Sequence, residues 1–342
     1  MTAPQTARPH PSSVRFAPLP QAGPSTPPRA AEGAEIVRDG VALLDETVAR
    51  LGDGPVSPAM ADLAIGLRRI HDALPTESWQ AFADDVCLAH PVAALVHQDP
   101  FTYRAFAKPR GYPGDAGILD LIYGTVAAPS ETTPLGAAIL DHGRHSPASL
   151  SVRERRDVLV DAIDGAAARA HGAARVLSVA CGHLREAQCS AAVRDGGVAE
   201  FHALDQDPVS LALLDAEHAS LGVTPVLGSV KDLLTRHVTF HDLTLAYAAG
   251  LYDYLPTAVA ARLTARLVET LAPGGRLLVA NFCPETPDVG YMESFMAWRL
   301  IYRTESEMQE IAAEVPGDRI AWQRTFRDTG RNVVYLEIEK AG

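Results

Sequence analysis

"VLSVACGHLREAQ", residues 176–188, is the stretch on which the fold turns. Its apolar, β-branched start reads as a strand, and "LREAQ" reads as the opening of a helix. One glycine, Gly182, stands in the turn between them and lets the backbone approach a ligand closely. The helix that follows presents free N–H groups at the same place. A pyrophosphate needs close main-chain approach along its whole length, so a single glycine serves a nucleoside better.

The same grammar repeats downstream. "AEFHALD" (199–205), "TPVLG" (224–228), "DLTLAYAAG" (242–250) and "RLLVANF" (276–282) read as further strands. Helices are expected over 184–194 and 208–220, and Val259, Leu263, Leu267 and Leu271 mark one face of another that ends at Pro273. "RIAWQRTF" (319–326) and "RNVVYLEIE" (331–339), joined through "RDTG", predict a terminal antiparallel hairpin. The expectation for residues 170–342 is an α/β, Rossmann-like doubly wound sheet closed by that pair. Ligands of such sheets sit beyond the carboxyl ends of the strands. Asp205, closing the second strand, can there accept both hydroxyls of a ribose.

Upstream the pattern is helical. Ile36, Val37, Val41, Leu44 and Val48 recur at helix spacing, as do Leu63, Leu67 and Ile70. Residues 35–165 are expected to form a helical N-terminal region of five or six helices, with Thr76 or Ser78 capping one of them. Residues 1–31 hold eight prolines and no acidic residue. That composition predicts a disordered tail over 1–34, without the apolar core of a secretory signal.

A formal charge of −12 over 342 residues argues against nucleic acid as a partner, because phosphate binding needs a basic face. No run approaches the roughly 18 apolar residues of a membrane span. Cys87, Cys181, Cys189 and Cys283 show no CxxC spacing, so neither zinc nor disulfides are expected, and reduced thiols in a cytoplasm are. Nothing in the sequence sets an oligomeric state.

In their order and spacing, "ACGHLREA", "ALDQDP", "YAAGLYDYLP" and "LAPGGRLLVANF" make the chain resemble the class I S-adenosylmethionine (SAM)-dependent methyltransferases. With "KPRGYPGDAGILDLIYG" (108–124) and "GYMESFMAWRLIYR" (290–303), it is similar to a narrower bacterial group. That group is typified by proteins associated with 3-hydroxy-fatty-acid methyl ester signals, and the azetidine-2-carboxylate synthases look like relatives. The first motif departs from the superfamily pattern. Ser178 stands at its usual acid, Ala180 at its first glycine and Leu184 at its last. Ser229 occupies the position where an aspartate commonly meets adenine.

The resemblance implies SAM as cofactor or substrate, and a small-molecule partner or none besides SAM. Ala180, Gly182 and Asp205 would contact it. Arg185 would take its carboxylate and Glu186 its ammonium, or the two form a surface pair. Tyr247, Tyr252 and Tyr254 would face the sulfonium, or Tyr252 and Tyr254 pack on the core with their hydroxyls outward. Asn281 would orient substrate, or satisfy a strand end. Pro109, Gly111, Pro113 and Gly114 shape a loop that would close as a lid, bringing Tyr112 to the sulfonium and Asp115 to the amine. Asp115 reads equally as a helix N-cap. Three functions follow: methyl transfer to a small molecule or acyl carboxylate in small-molecule or secondary metabolism; cyclisation of SAM to azetidine-2-carboxylate with release of methylthioadenosine; or non-catalytic SAM binding.

Overall fold

A computed structural model describes residues 30–342. The tail expected over 1–34 lies outside the described residues up to position 29, and residues 30–34 begin the first helix. Eight α-helices precede the sheet among the described residues: α1 (Ala30–Asp53), α2 (Val56–Ala73), α3 (Thr76–Ala81), α4 (Pro91–Val96), α5 (Pro100–Ala107), α6 (Ala116–Tyr123), α7 (Pro134–Arg144) and α8 (Pro147–Arg169). Prolines open α4, α5, α7 and α8, where the missing N–H costs nothing, and His90, Asp99, Thr133 and Ser146 cap those same helices. The cap expected at Thr76 or Ser78 is absent. Pro75 occupies the N-cap position of α3 and offers no side-chain acceptor.

The sheet comprises β1 (Ala174–Val179), β2 (Val198–Asp205), β3 (Val223–Leu227), β4 (Leu243–Ala248), β5 (Leu271–Phe282), β6 (Ile320–Arg327) and β7 (Val333–Lys340). Its order is β3-β2-β1-β4-β5-β7-β6. The first five strands are parallel, and β7 pairs antiparallel to both β5 and β6. This is the α/β Rossmann-like fold with the terminal hairpin expected, and β7 rather than β6 joins the parallel strands. The order reverses at β1, so a crevice opens between the carboxyl ends of β1 and β4. Between the strands run α9 (Arg185–Cys189), α10 (Ala191–Arg194), α11 (Pro208–Glu217), α12 (Val230–Leu234), α13 (Thr257–Thr270), α14 (Val289–Phe295) and α15 (Glu305–Ala312).

Strand pleating divides the core into two layers. Val176, Leu245, Tyr247, Leu278, Ala280, Val333 and Tyr335 point toward the N-terminal helices. Leu177, Val179, Ala246, Ala248, Val279 and Val334 point toward α13 and α15. Within "GYMESFMAWRLIYR" (290–303) the helix α14 stops at Phe295. Ala297 turns left-handed (φ 46°), the Trp298 N–H returns to the Met292 carbonyl, and the chain runs without regular structure to Thr304. Among the described residues no helix is long and apolar enough to cross a membrane.

Candidate functional site

The turn after β1 is wound unusually tightly. Ala180, Gly182 and Leu184 all adopt positive φ (54°, 54° and 48°), a conformation that disfavours side chains and here costs two of them. Asp205 holds the turn: its Oδ2 accepts the Gly182 N–H at 2.8 Å, and its Oδ1 accepts the Asp207 N–H at 2.9 Å. Each carboxylate oxygen keeps a lone pair free. Ala180 is exposed at the mouth of the crevice. Leu227, paired with Asp205 across β2 and β3, is 64% exposed and forms an apolar wall beside that carboxylate.

Residues 108–115 cross the carboxyl ends of these strands. Arg110 donates to Asp207 and Ser210, both at 2.9 Å, and to His183 Nε2 at 3.2 Å. A guanidinium only donates, so that histidine nitrogen accepts, and Nδ1–H donates to Asp120 at 2.8 Å. At Gly114 a Cβ would meet the Tyr254 hydroxyl at 2.5 Å and the Trp298 ring at 2.6 Å, so the backbone there touches the strand-end residues directly. Trp298 Nε1 donates to that same hydroxyl at 2.8 Å. The loop is thereby anchored at both ends of the crevice. Tyr112 stands half-buried within it, its phenol pushed up to about 12 by burial and by the charges of Asp205, Asp115 and Asp207.

Asp115 is fully buried. Its Oδ1 caps α6 through the Ile118 N–H at 3.1 Å and pairs with Arg104 at 2.8 Å. Its Oδ2 has no hydrogen-bond partner and no access to solvent. An ionised oxygen in that state is costly unless a ligand supplies a donor. Glu186 is also buried, and burial raises its carboxyl above the usual range. It accepts from the Tyr247 hydroxyl at 2.8 Å, which orients it beneath the crevice.

Five of the expected site residues are engaged elsewhere. Arg185 does not face a ligand: its fork binds Asp120 at 2.7 and 2.8 Å and also reaches Glu217. Burial alone would raise the Asp120 carboxyl, but Arg185 and His183 outweigh it and hold it well below the ordinary range. Ser229 caps α12 in a reciprocal pair with Asp232, which accounts for its hydroxyl. Tyr252 opens the 3-10 turn 252–254 after β4 and packs in the opposite core layer, its hydroxyl 2.8 Å from Thr264 on α13. Asn281 donates to the Phe282 and Ile301 carbonyls and accepts from Arg303, so its amide closes a strand end. Tyr247 is buried as a partner of Glu186 rather than as an open aromatic face.

The site also contains groups the sequence reading passed over: Arg104, Arg110, Asp120, Arg155, His183 and Trp298. A cavity of about 50 Å³ adjoins it inside the helical layer. Phe101, Ile122, Phe282, Met292 and Trp298 line it, with Asp99 and Thr102 at a polar end.

No protein-family model matches the chain, and no curated protein does. Solved structures do. A possible exported protein from Bordetella parapertussis is 17% identical and aligns over 92% of this chain and 97% of its own, with a TM-score of 0.53. Magnesium protoporphyrin IX methyltransferase from Synechocystis PCC 6803, with bound SAH, is 14% identical over 69% of this chain and 100% of its own, TM-score 0.45. The N-methyltransferase NodS from Bradyrhizobium japonicum WM9, in complex with S-adenosyl-L-homocysteine, is 15% identical over 56% of this chain and 88% of its own, TM-score 0.40. The likeness to the Bordetella protein, spanning nearly both chains, is one of fold.

Proposed function

We propose that the chain binds SAM in the crevice beneath residues 108–115 and transfers its methyl group to a small molecule. The observation that carries this reading is the sealed, unpartnered Oδ2 of Asp115. It belongs to a crevice where, among the described residues, Asp205 and Glu186 have no ion-pair partner, Asp115 is paired with Arg104 through one oxygen only, and the Arg155 guanidinium has no ion-pair partner. That balance suits a ligand with one carboxylate and more than one positive charge, which SAM is. Asp205 retains acceptor capacity for a ribose, Leu227 offers a wall for a base, and the Gly182 N–H fixes the Asp205 carboxylate in the turn.

When bound, SAM supplies a methyl group activated by positive sulfur. The chain's part is to orient and to exclude water. Asp115 and Glu186 offer acceptors to the ammonium, the cationic group of SAM that carries N–H donors, and the 108–115 segment covers the crevice through Arg110 and Gly114. The apolar cavity beside Trp298 favours a second substrate with a small apolar portion. An acceptor carboxylate is already nucleophilic, so no general base is required of the site.

Asp115 Oδ2 also favours a second reading, cyclisation of SAM to azetidine-2-carboxylate. An acceptor sealed from water can hold an amine in place for attack on its own chain. Incubation with SAM alone, followed by addition of small carboxylic acids and mass spectrometry, separates the two. Methyl transfer leaves SAM unchanged until an acceptor is added and then yields S-adenosylhomocysteine. Methylthioadenosine from SAM alone selects cyclisation, and absence of SAM binding by calorimetry sinks both.

A further inference from the structure

Arg155 lies on α8 in the run "RERR" (153–156), where alternating charge reads as a solvated helix face. Its neighbours behave accordingly: Arg153 donates to the Ile122 carbonyl, and Arg156 pairs with the exposed Asp157. Arg155 does not. It is 6% exposed, and it takes part in no hydrogen bond or ion pair among the described residues. Its guanidinium nitrogens are the nearest atoms to a Cβ placed on Gly250, at 3.8 and 4.0 Å. Gly250 follows β4, so the charge stands at the carboxyl end of that strand, in the crevice.

A guanidinium stays protonated when buried, and a buried charge without a partner is strongly unfavourable. The carboxylates whose fields reach it do not pair with it. Glu186 accepts from Tyr247, and Asp253 Oδ1 accepts the Phe282 N–H at 2.7 Å. Gly250 bears no side chain that would fill the space before the fork. An anion arriving there would meet parallel N–H donors matched to a carboxylate. Glu186, of opposite charge, lies in the same field.

We infer that Arg155 holds the α-carboxylate of the ligand's amino-acid end while Glu186 takes its α-ammonium. This assignment rests on the SAM reading, and it gives Arg155 the role that Arg185, bound to Asp120 and Glu217, does not fill. Arg155 is then a binding residue supplied by the helical region to a ligand carried by the sheet.

The test compares SAM with decarboxylated SAM, which keeps sulfonium, base and ribose but lacks the carboxylate. On the full wild-type chain, calorimetry is expected to give SAM an affinity roughly 10- to 100-fold higher, the range of a charge-assisted pair. Arg155→Gln should weaken SAM by that factor and leave decarboxylated SAM nearly unchanged, so that the preference disappears. If Arg155→Gln does not fold, Arg155→Lys keeps the charge without the fork and should retain part of the preference. Equal wild-type affinity for the two sulfonium ligands overturns the assignment while leaving SAM binding intact. Binding of neither overturns the assignment together with the reading beneath it. An unaltered preference in Arg155→Gln means the carboxylate is held elsewhere, by the protein or through a methyl acceptor's subsite.

Discussion

Gly182, in the turn after β1, and Ala116, the first residue of α6, are so close that a Cβ on the glycine would stand 3.1 Å from the Ala116 Cβ. This contact joins the turn after β1 to the base of the segment that crosses the strand ends. Gly182→Ala therefore meets two obstacles, a φ of 54° and a neighbour without room. The left-handed conformation alone costs about 1–2 kcal/mol. We expect a lower melting temperature and weaker SAM binding. Adding Ala116→Gly should restore the binding but not the full melting temperature, because only the contact is relieved. Equal recovery of both would mean the backbone there is unstrained.

Asp115→Asn preserves the cap on α6 but removes the charge that Arg104 pairs with. Arg104 is about one-third exposed, so stability should fall by only about 0.5–1 kcal/mol. SAM affinity should fall further, tenfold or more, or about 1.4 kcal/mol. Arg104→Met is the control: it should lower stability similarly and spare binding. If calorimetry finds both variants binding alike, the carboxylate of Asp115 serves the fold alone.

Tyr252 belongs to the core, and its substitution should read as such. Tyr252→Phe leaves the Thr264 hydroxyl without its buried partner, at a cost of about 1 kcal/mol. SAM binding and turnover should stay within twofold of wild type. A loss of turnover with unchanged stability would return this tyrosine to the chemistry.

Burial pushes the Asp288 carboxyl up to about 6, against the pull of the Ala148 N–H and Ser146 that it contacts. The folded chain therefore holds this proton more tightly than the unfolded chain, where aspartate titrates near 3.9. The resulting stabilisation is complete below about pH 4 and is lost as pH rises through about 6. Asp99, also pushed up to about 6 by burial, adds in the same direction. Asp288→Asn should flatten its share of that slope, on the order of 2 kcal/mol between pH 4 and 7. Urea unfolding of both proteins across this range measures it, and parallel profiles would show that Asp288 titrates normally.

The parallel strands were legible because each is an apolar run bounded by turn residues, and the terminal pair because β6 and β7 flank the turn "RDTG". A shaped, non-helical segment over 108–115 was legible from Pro109, Gly111, Pro113 and Gly114, which restrict or release φ at fixed positions. The site's charges were not. Arg185 and Arg155 carry the same side chain, and only the fold decides that Asp120, 65 positions upstream of the first, occupies its fork. Tyr247 and Tyr252 look equivalent in "YAAGLYDYLP", yet they lie in opposite core layers. Local pattern specifies which residues are buried and leaves open what they meet across the chain.

β7 is hydrogen-bonded along both of its sides, to β5 and to β6, although it is the last strand of the sheet to be synthesised. Until residues 333–340 have left the ribosome, β5 presents a bare edge from Arg276 to Phe282, and β6 has no partner at all. An emerging chain thus carries its nearly finished crevice on a sheet that is still open to the wrong neighbour. Residues 333–340 cover that edge of β5 and give β6 its partner, so the sheet under the crevice is complete only when the last strand is in place.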